Sequence, residues 1–307
     1  MARTTLLDLA KLNGADAVVG LIEESLAAAP EMATIPGRAI AGTSYRTVLR
    51  TGLPTTGFRR VNEGVTASKS TFESKLVECF IAGGRVEVDR AIAEAYEDGP
   101  EALQAIEAAG VMESALRRIG SQVFYGIAAD AKGFPGLQAM CSPEHAVNAG
   151  GSTAKTSAYA VRFGPQAVQF VFGRNSPFVL SPWREETIYD AALNPLPGYV
   201  ADLSAWVGLQ CVSAHAVGRI YNIGTDSGKG MTDALVAELL SKWYGPAPDV
   251  IFVNRRSAFQ LQTSRTVSII SDGTKKVLGG VGTVAPMPTE SNGIPIVITD
   301  QITNAES

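Results

Sequence analysis

The chain has 307 residues, 46% of them hydrophobic and 18% charged, with a formal net charge of -4. That apolar fraction is ample for the core of one large domain or two ordinary ones and excludes a disordered or collagen-like chain. With no sequence-wide basic excess, a dedicated nucleic-acid reader is disfavoured, and three widely spaced cysteines, Cys79, Cys141 and Cys211, suggest neither a disulfide framework nor a zinc knuckle.

The apolar run within Met1–Lys11 is too short and too charged for a signal peptide. The longest uncharged window, Leu203–Gly218, falls short of a bilayer span, so a soluble protein made in the cytoplasm and with no membrane partner is expected. Between Ala15 and Ala29, Val18, Ile22 and Leu26 recur every four residues, with Glu23 and Glu24 on another face and Pro30 ending the pattern. This predicts an amphipathic helix within an amino-terminal arm, residues 1–34.

Residues 35–80 read as two long strands joined by a tip with nothing to bury. The first arm, Arg38–Arg50, is β-prone, and the return arm, Thr71–Phe80, nearly alternates. Between them, Thr51–Thr66 is rich in Gly, Pro and charge. A two-stranded ribbon is marginal in water, so one this long needs support from elsewhere, and another copy of the chain is the expected source. The charged residues of the ribbon, Arg50, Arg59, Arg60, Glu63, Lys69, Glu73 and Lys75, are accordingly candidates for contacts between subunits. Exposed ion pairs contribute about 0–1 kcal/mol each, so such contacts matter only when repeated over many copies.

Beyond the ribbon, Val86–Tyr96 is helical in composition and Asp98-Gly99-Pro100 interrupts it. From Glu101 to Tyr125, Leu103, Ile106, Met112, Leu116, Ile119 and Val123 keep helical spacing, predicting a helix roughly 37 Å long. Gly133-Phe134-Pro135-Gly136-Leu137 reads as a tight turn and Gly150–Thr153 as a loop. Four β-like runs follow, Ala158–Phe163, Ala167–Phe172, Ala205–Val212 and Ala216–Ile223, which suggest an antiparallel sheet for the long helix to lie against. The final third alternates: helix at Met231–Trp243, strand at Val250–Val253, helix at Arg255–Leu261, strand at Ile294–Thr299.

No motif for catalysis, cofactor or metal survives inspection. Gly224-Thr225-Asp226-Ser227-Gly228-Lys229-Gly230 resembles a phosphate loop, but the glycine spacing is one residue short and Gly230 stands where a magnesium-holding Ser or Thr belongs. A turn with Asp226 or Ser227 near the helix cap is the better reading. Gly279-Gly280-Val281-Gly282 lacks the setting of a dinucleotide site and reads as a loop. His145 and His215 lack metal-ligand spacing, and without a G-x-S-x-G elbow Glu144-His145 alone reads equally well as a solvated loop pair.

The ribbon at Ile35–Phe80, the long helix at Glu101–Tyr125, Gly133-Phe134-Pro135-Gly136-Leu137 just after it, Val250–Arg256 leading into a helix, and Gly293-Ile294-Pro295-Ile296-Val297 occur in an order that resembles a tailed-bacteriophage major capsid protein of the HK97-like class. The resemblance implies an α+β fold with an amino-terminal arm (1–34), an extended loop (35–80), a peripheral domain with spine helix 101–125 (81–225) and an axial-type domain (226–307). Because the β-rich block 158–223 precedes the strand-helix-GIP unit, the connectivity resembles the permuted order of some short-tailed phages. The implied function is structural: self-assembly into pentamers and hexamers of an icosahedral head enclosing double-stranded DNA, in the virion, after assembly in the host bacterial cytoplasm. Implied partners are further copies of the chain, scaffolding, portal and cementing proteins, and non-specific DNA contact. Some relatives crosslink a loop lysine to an asparagine; Lys69 and Lys75 are present, but no acceptor is identifiable. An encapsulin-like nanocompartment shell is the alternative of similar architecture, and a nucleotide-binding enzyme using Gly224–Lys229 the alternative of another class.

Overall fold

The structure is a computed structural model that describes residues 29–175, 179–265 and 286–306. The amphipathic pattern before Ala29 and the Gly279–Gly282 loop lie outside these residues.

The described chain begins with a short helix, α1 (Glu31–Thr34), and a short strand, β1 (Gly37–Ala39). It then forms the ribbon from β2 (Ser44–Gly52) and β3 (Thr71–Glu78), which pair antiparallel as a sheet of their own. The ribbon is thus shorter at its root than Arg38–Arg50 and Thr71–Phe80 suggest. Arg38 and Ala39 belong to β1, and the return arm breaks at Cys79, whose amide donates to the Thr43 carbonyl at 2.8 Å.

β4 (Phe80–Asp89) takes the first four residues of the segment expected to be helical, 86–96. Only α2 (Arg90–Glu94) is helical there, started by the Asp89 side chain accepting from the Ala91 amide. Helix-forming composition loses because Val86 and Val88 alternate with outward Arg85 and Glu87, a period of two that pairing with a neighbouring strand stabilises. α3 (Pro100–Tyr125) has 26 residues, with Pro in its first turn, where no amide partner is lost. It ends at Gly126 with φ 56°, where an added Cβ would lie 2.1 Å from the Gly136 nitrogen. α4 (Leu137–Met140) follows the turn.

The remaining strands are β5 (Ala146–Asn148), β6 (Thr156–Val161), β7 (Val168–Phe172), β8 (Val179–Leu180), β9 (Arg184–Tyr189), β10 (Pro195–Cys211), β11 (Val217–Ile223), β12 (Val250–Val253), β13 (Glu290–Ser291) and β14 (Ile294–Ile298). Two helices, α5 (Asp233–Ser241) and α6 (Arg255–Ser264), flank β12 in sequence. Sheet one runs β1-β7-β10-β4, with β8 and β9 also on β10. Sheet two runs β13-β14-β12-β6-β11-β5.

The four β-like runs expected to form one antiparallel sheet are therefore divided. β7 and β10 go to sheet one, β6 and β11 to sheet two. Sheet two also takes strands from both sides of residue 225: β6 pairs β11 on one edge and β12 on the other, so hydrogen bonds join 81–225 to 226–307.

Sheet two is buried on both faces, and its central strands β6 and β12 are buried at every position. Tyr159, Val161 and Phe252 face a core shared with Ile119, Val123 and Phe124 of α3 and with Phe170, Val207 and Leu209 of sheet one. Ala158, Ala160, Ile251 and Val253 face the opposite way, against Val236 and Leu239 of α5 and Ala258 and Leu261 of α6. Near the start of α3, Leu103 packs with Val86, Val88, Ala93 and Tyr96. The last residues fasten these layers together. Glu306 accepts from Ser157 Oγ at 2.5 Å, Tyr125 Oη at 2.8 Å and Arg219 at 2.9 Å.

Candidate assembly ribbon

The ribbon's alternation gives it two unlike faces. Tyr45, Thr47 and Leu49 stand opposite Val77, Lys75 and Glu73, while Arg46, Val48 and Arg50 stand opposite Leu76, Ser74 and Phe72. The first face is anchored at its root on sheet one. Tyr45 donates to Gln210, Lys75 Nζ donates to the Cys211 carbonyl at 2.6 Å, and Val77 is buried with Cys79 and Val171. Arg38 lies over the Tyr45 ring at 4.5 Å. The chain therefore supplies part of the support the ribbon needs.

Among the described residues, the second face has no such cover. Val48, Phe72 and Leu76 are 67%, 61% and 47% exposed, flanked by exposed Arg46 and Arg50, with Arg50 over the Phe72 ring at 5.5 Å. The tip adds exposed Leu53, Phe58, Val61 and Val65. It is tied across its base by the Thr55 amide donating to Ser68 Oγ at 2.7 Å. At its end, the Arg60 amide donates to Glu63 Oε2 at 3.3 Å and Arg59 to the Glu63 carbonyl at 3.3 Å, around Asn62 at φ 69°.

The expected contact residues are thus distributed unequally. Arg50 is on the open face, and Arg59, Arg60 and Glu63 shape the tip. Lys69 is exposed near the return strand, with no ion pair among the described residues, and Glu73 stands on the anchored face opposite Leu49. Lys75 is engaged within its own chain. Charge alone does not mark the apolar residues of the open face and tip, although Phe58, Val61 and Phe72 stand in the sequence at positions that a two-stranded ribbon cannot bury.

The loops that invite a chemical reading are otherwise occupied. Asp226 accepts from the Ser152 amide at 2.6 Å, the Thr153 amide at 3.1 Å and Thr153 Oγ1 at 2.9 Å. These bonds, the Ser152 amide first, pull its carboxyl down to about 2. The Gly224 amide donates to the Lys229 carbonyl, the Lys229 amide to the Asp226 carbonyl and the Thr225 amide to the Thr153 carbonyl, so three of the loop's amides are already engaged. The cap of α5 is Thr232, accepting from the Leu235 amide, and neither Asp226 nor Ser227. Burial pushes the thiols of Cys141 and Cys211 up to about 11. Among the described residues, no group of three or more His, Cys, Asp or Glu could hold a metal ion, and no helix is long and apolar enough to cross a membrane.

A family model described as major capsid protein GP7 matches residues 13–307. Among solved structures, a chain of bacteriophage Epsilon15 aligns with a TM-score of 0.71 at 20% identity, covering 100% of this chain and 97% of that one. The capsid of bacteriophage JBD30, decorated with minor capsid protein trimers, aligns with a TM-score of 0.54 at 11% identity, over 94% and 97% of the two chains. The SrpI encapsulin of Synechococcus elongatus PCC 7942 aligns at 0.49 and 11%, over 74% of this chain and 98% of that one, too distant to carry an argument. No curated protein matches the chain. At these identities the structural likeness is one of fold.

Proposed function

Because the chain belongs to the major capsid protein GP7 family and has the HK97-like fold, we propose that this structural capsid protein assembles into pentamers and hexamers of an icosahedral phage head around double-stranded DNA. The observation that carries this reading is the ribbon's open face, an apolar stripe of Val48, Phe72 and Leu76 that the described residues leave exposed. A closed shell of identical subunits uses heterologous contacts, in which one surface of each copy meets a different surface of the next. A projecting ribbon anchored at one end and apolar along the other is suited to that role.

In this reading Arg50, Arg59, Arg60, Glu63, Lys69 and Glu73 meet neighbouring copies at the margins of the apolar contact, whereas Lys75 holds the ribbon's root. Assembly takes place in the host bacterial cytoplasm, with scaffolding, portal and cementing proteins as further partners, and the packaged DNA meets the wall without sequence readout. No catalytic step is assigned to the chain. Deleting residues 53–70 tests the proposal: negative-stain images of the full-length protein should show capsomers or shells, and the deletion should leave folded subunits that do not close shells. Normal shells from the deleted form would overturn it.

A further inference from the structure

The chain has two histidines, and the fold brings them together from 70 positions apart. Nε2 of His145 lies 2.6 Å from Nδ1 of His215. His145 ends the 3-10 turn Pro143–His145, on the crossing from α3 to sheet two. His215 is in the 3-10 turn Ala214–Ala216, on the crossing from β10 in sheet one to β11 in sheet two. The rings meet edge to face at 83°, and Tyr244 packs on both, with centroids 5.7 Å away. Trp243 packs on His145 at the same distance. His145 is fully buried beside the Lys242 backbone, while His215 is exposed.

This contact accommodates one proton. Two ring nitrogens at 2.6 Å bond when one carries hydrogen and the other offers a lone pair; with both rings protonated, N–H faces N–H and two cations adjoin. Two neighbours, Glu144 and the Lys242 backbone, favour a charged His145, but they act less strongly than burial and His215. Glu144 is the anion beside His145. Lys242 faces the pair from the end of α5, its Nζ donating to the Ala146 carbonyl at 3.3 Å and pairing with Glu238 at 3.1 Å. Arg219 acts on Cys141, whose thiol donates to the His145 carbonyl at 3.8 Å, and Arg162 lies near Gly245, next to Tyr244. Burial first, and His215 second, hold the titration of His145 below the ordinary histidine range.

We propose that the His145–His215 pair is an acid-sensitive clamp between two connections that enter sheet two, closed while the facing nitrogens share one proton and open once both rings are protonated. Opening releases 142–146 from 213–216 and from Trp243 and Tyr244, while β12 and the shared core stay in place.

Hydrogen exchange of the full-length protein, in whatever assembled form it takes, tests this between about pH 8 and about pH 5. After correction for intrinsic chemical exchange, peptides over 142–147, 213–217 and 242–245 should exchange faster by roughly tenfold per pH unit below the ordinary histidine value, as uptake of one extra proton requires. Peptides over β12 should not. His215→Gln keeps a polar partner for His145 but cannot take the second proton, and should lose the acid step; His215→Phe, which packs on Tyr244 with no proton at all, should lose it too. An acid step of unchanged size in both variants, its absence from the unaltered chain, or equal acceleration in β12 would overturn the clamp.

Discussion

Replacing Val48, Phe72 and Leu76 together by Ser tests whether the open face of the ribbon drives assembly. Each is about half to two-thirds exposed in the single chain. Full burial of such a side chain contributes about 1.5–3 kcal/mol, so covering the exposed parts contributes about 1–2 kcal/mol each and about 3–6 kcal/mol per ribbon. At 1.4 kcal/mol per tenfold, each intersubunit contact should weaken by roughly two to four orders of magnitude. The subunit itself should keep its fold, because none of the three belongs to a core cluster. Light scattering against protein concentration, with circular dichroism of the dissociated subunit as control, reads both quantities. Arg46→Gln with Arg50→Gln should shift the threshold far less, since exposed charges contribute about 0–1 kcal/mol each. An unchanged assembly threshold in the triple variant, with the fold intact, would refute the reasoning.

Two further outcomes concern buried charge. Glu306→Ala leaves the Arg219 guanidinium, 17% exposed and 2.9 Å from its lost partner, without a counterion, and should cost about 3–5 kcal/mol in urea unfolding of the dissociated subunit; Arg219→Met in the same chain should restore much of it. Glu31 is fully buried, with Oε2 accepting from Thr299 at 2.8 Å and Oε1 unpartnered, and burial raises its folded pKa. The folded state thus holds a proton that the unfolded state releases, so this contribution is fully present below the unfolded pKa and lost as pH rises towards the folded one. Glu31→Gln should flatten that slope and raise stability at neutral pH; equal pH profiles for the two proteins would exclude a buried acid there.

Local patterns made some elements plain and left others hidden. The α3 periodicity from Leu103 to Val123, the Val250–Val253 strand with Asn254 capping α6, and the Ile294–Ile298 strand each carry their signal within one segment. A short apolar run buried on both faces, in contrast, says nothing about its neighbour, so β6 and β7 look alike although they join different sheets. The start of β10 is hidden because Pro195, Pro197 and Gly198 read as a loop, yet β9 and β4 hold it extended. On the ribbon, charge could be located but its direction could not: only the pairing register shows that Lys75 turns inward and Arg50 outward. The histidine pair depends on a contact across 70 residues that no local spacing announces.

The 17 residues of β10 rise roughly 55 Å. Its carboxyl end carries the ribbon: Gln210 and Cys211 hold Tyr45 and Lys75, and at Gly208 a Cβ would lie 2.4 Å from the Glu78 carbonyl. Its amino end carries the β9 hairpin. A strand paired with β4 over 198–207 and with β9, β8 and β7 in turn over 195–200, 203–204 and 207–211 resists local bending, so a load applied to the ribbon by one neighbour would reach the far end of β10 as a tilt. In a shell, curvature sensed at one contact would then be passed on to the next by a single strand acting as a lever.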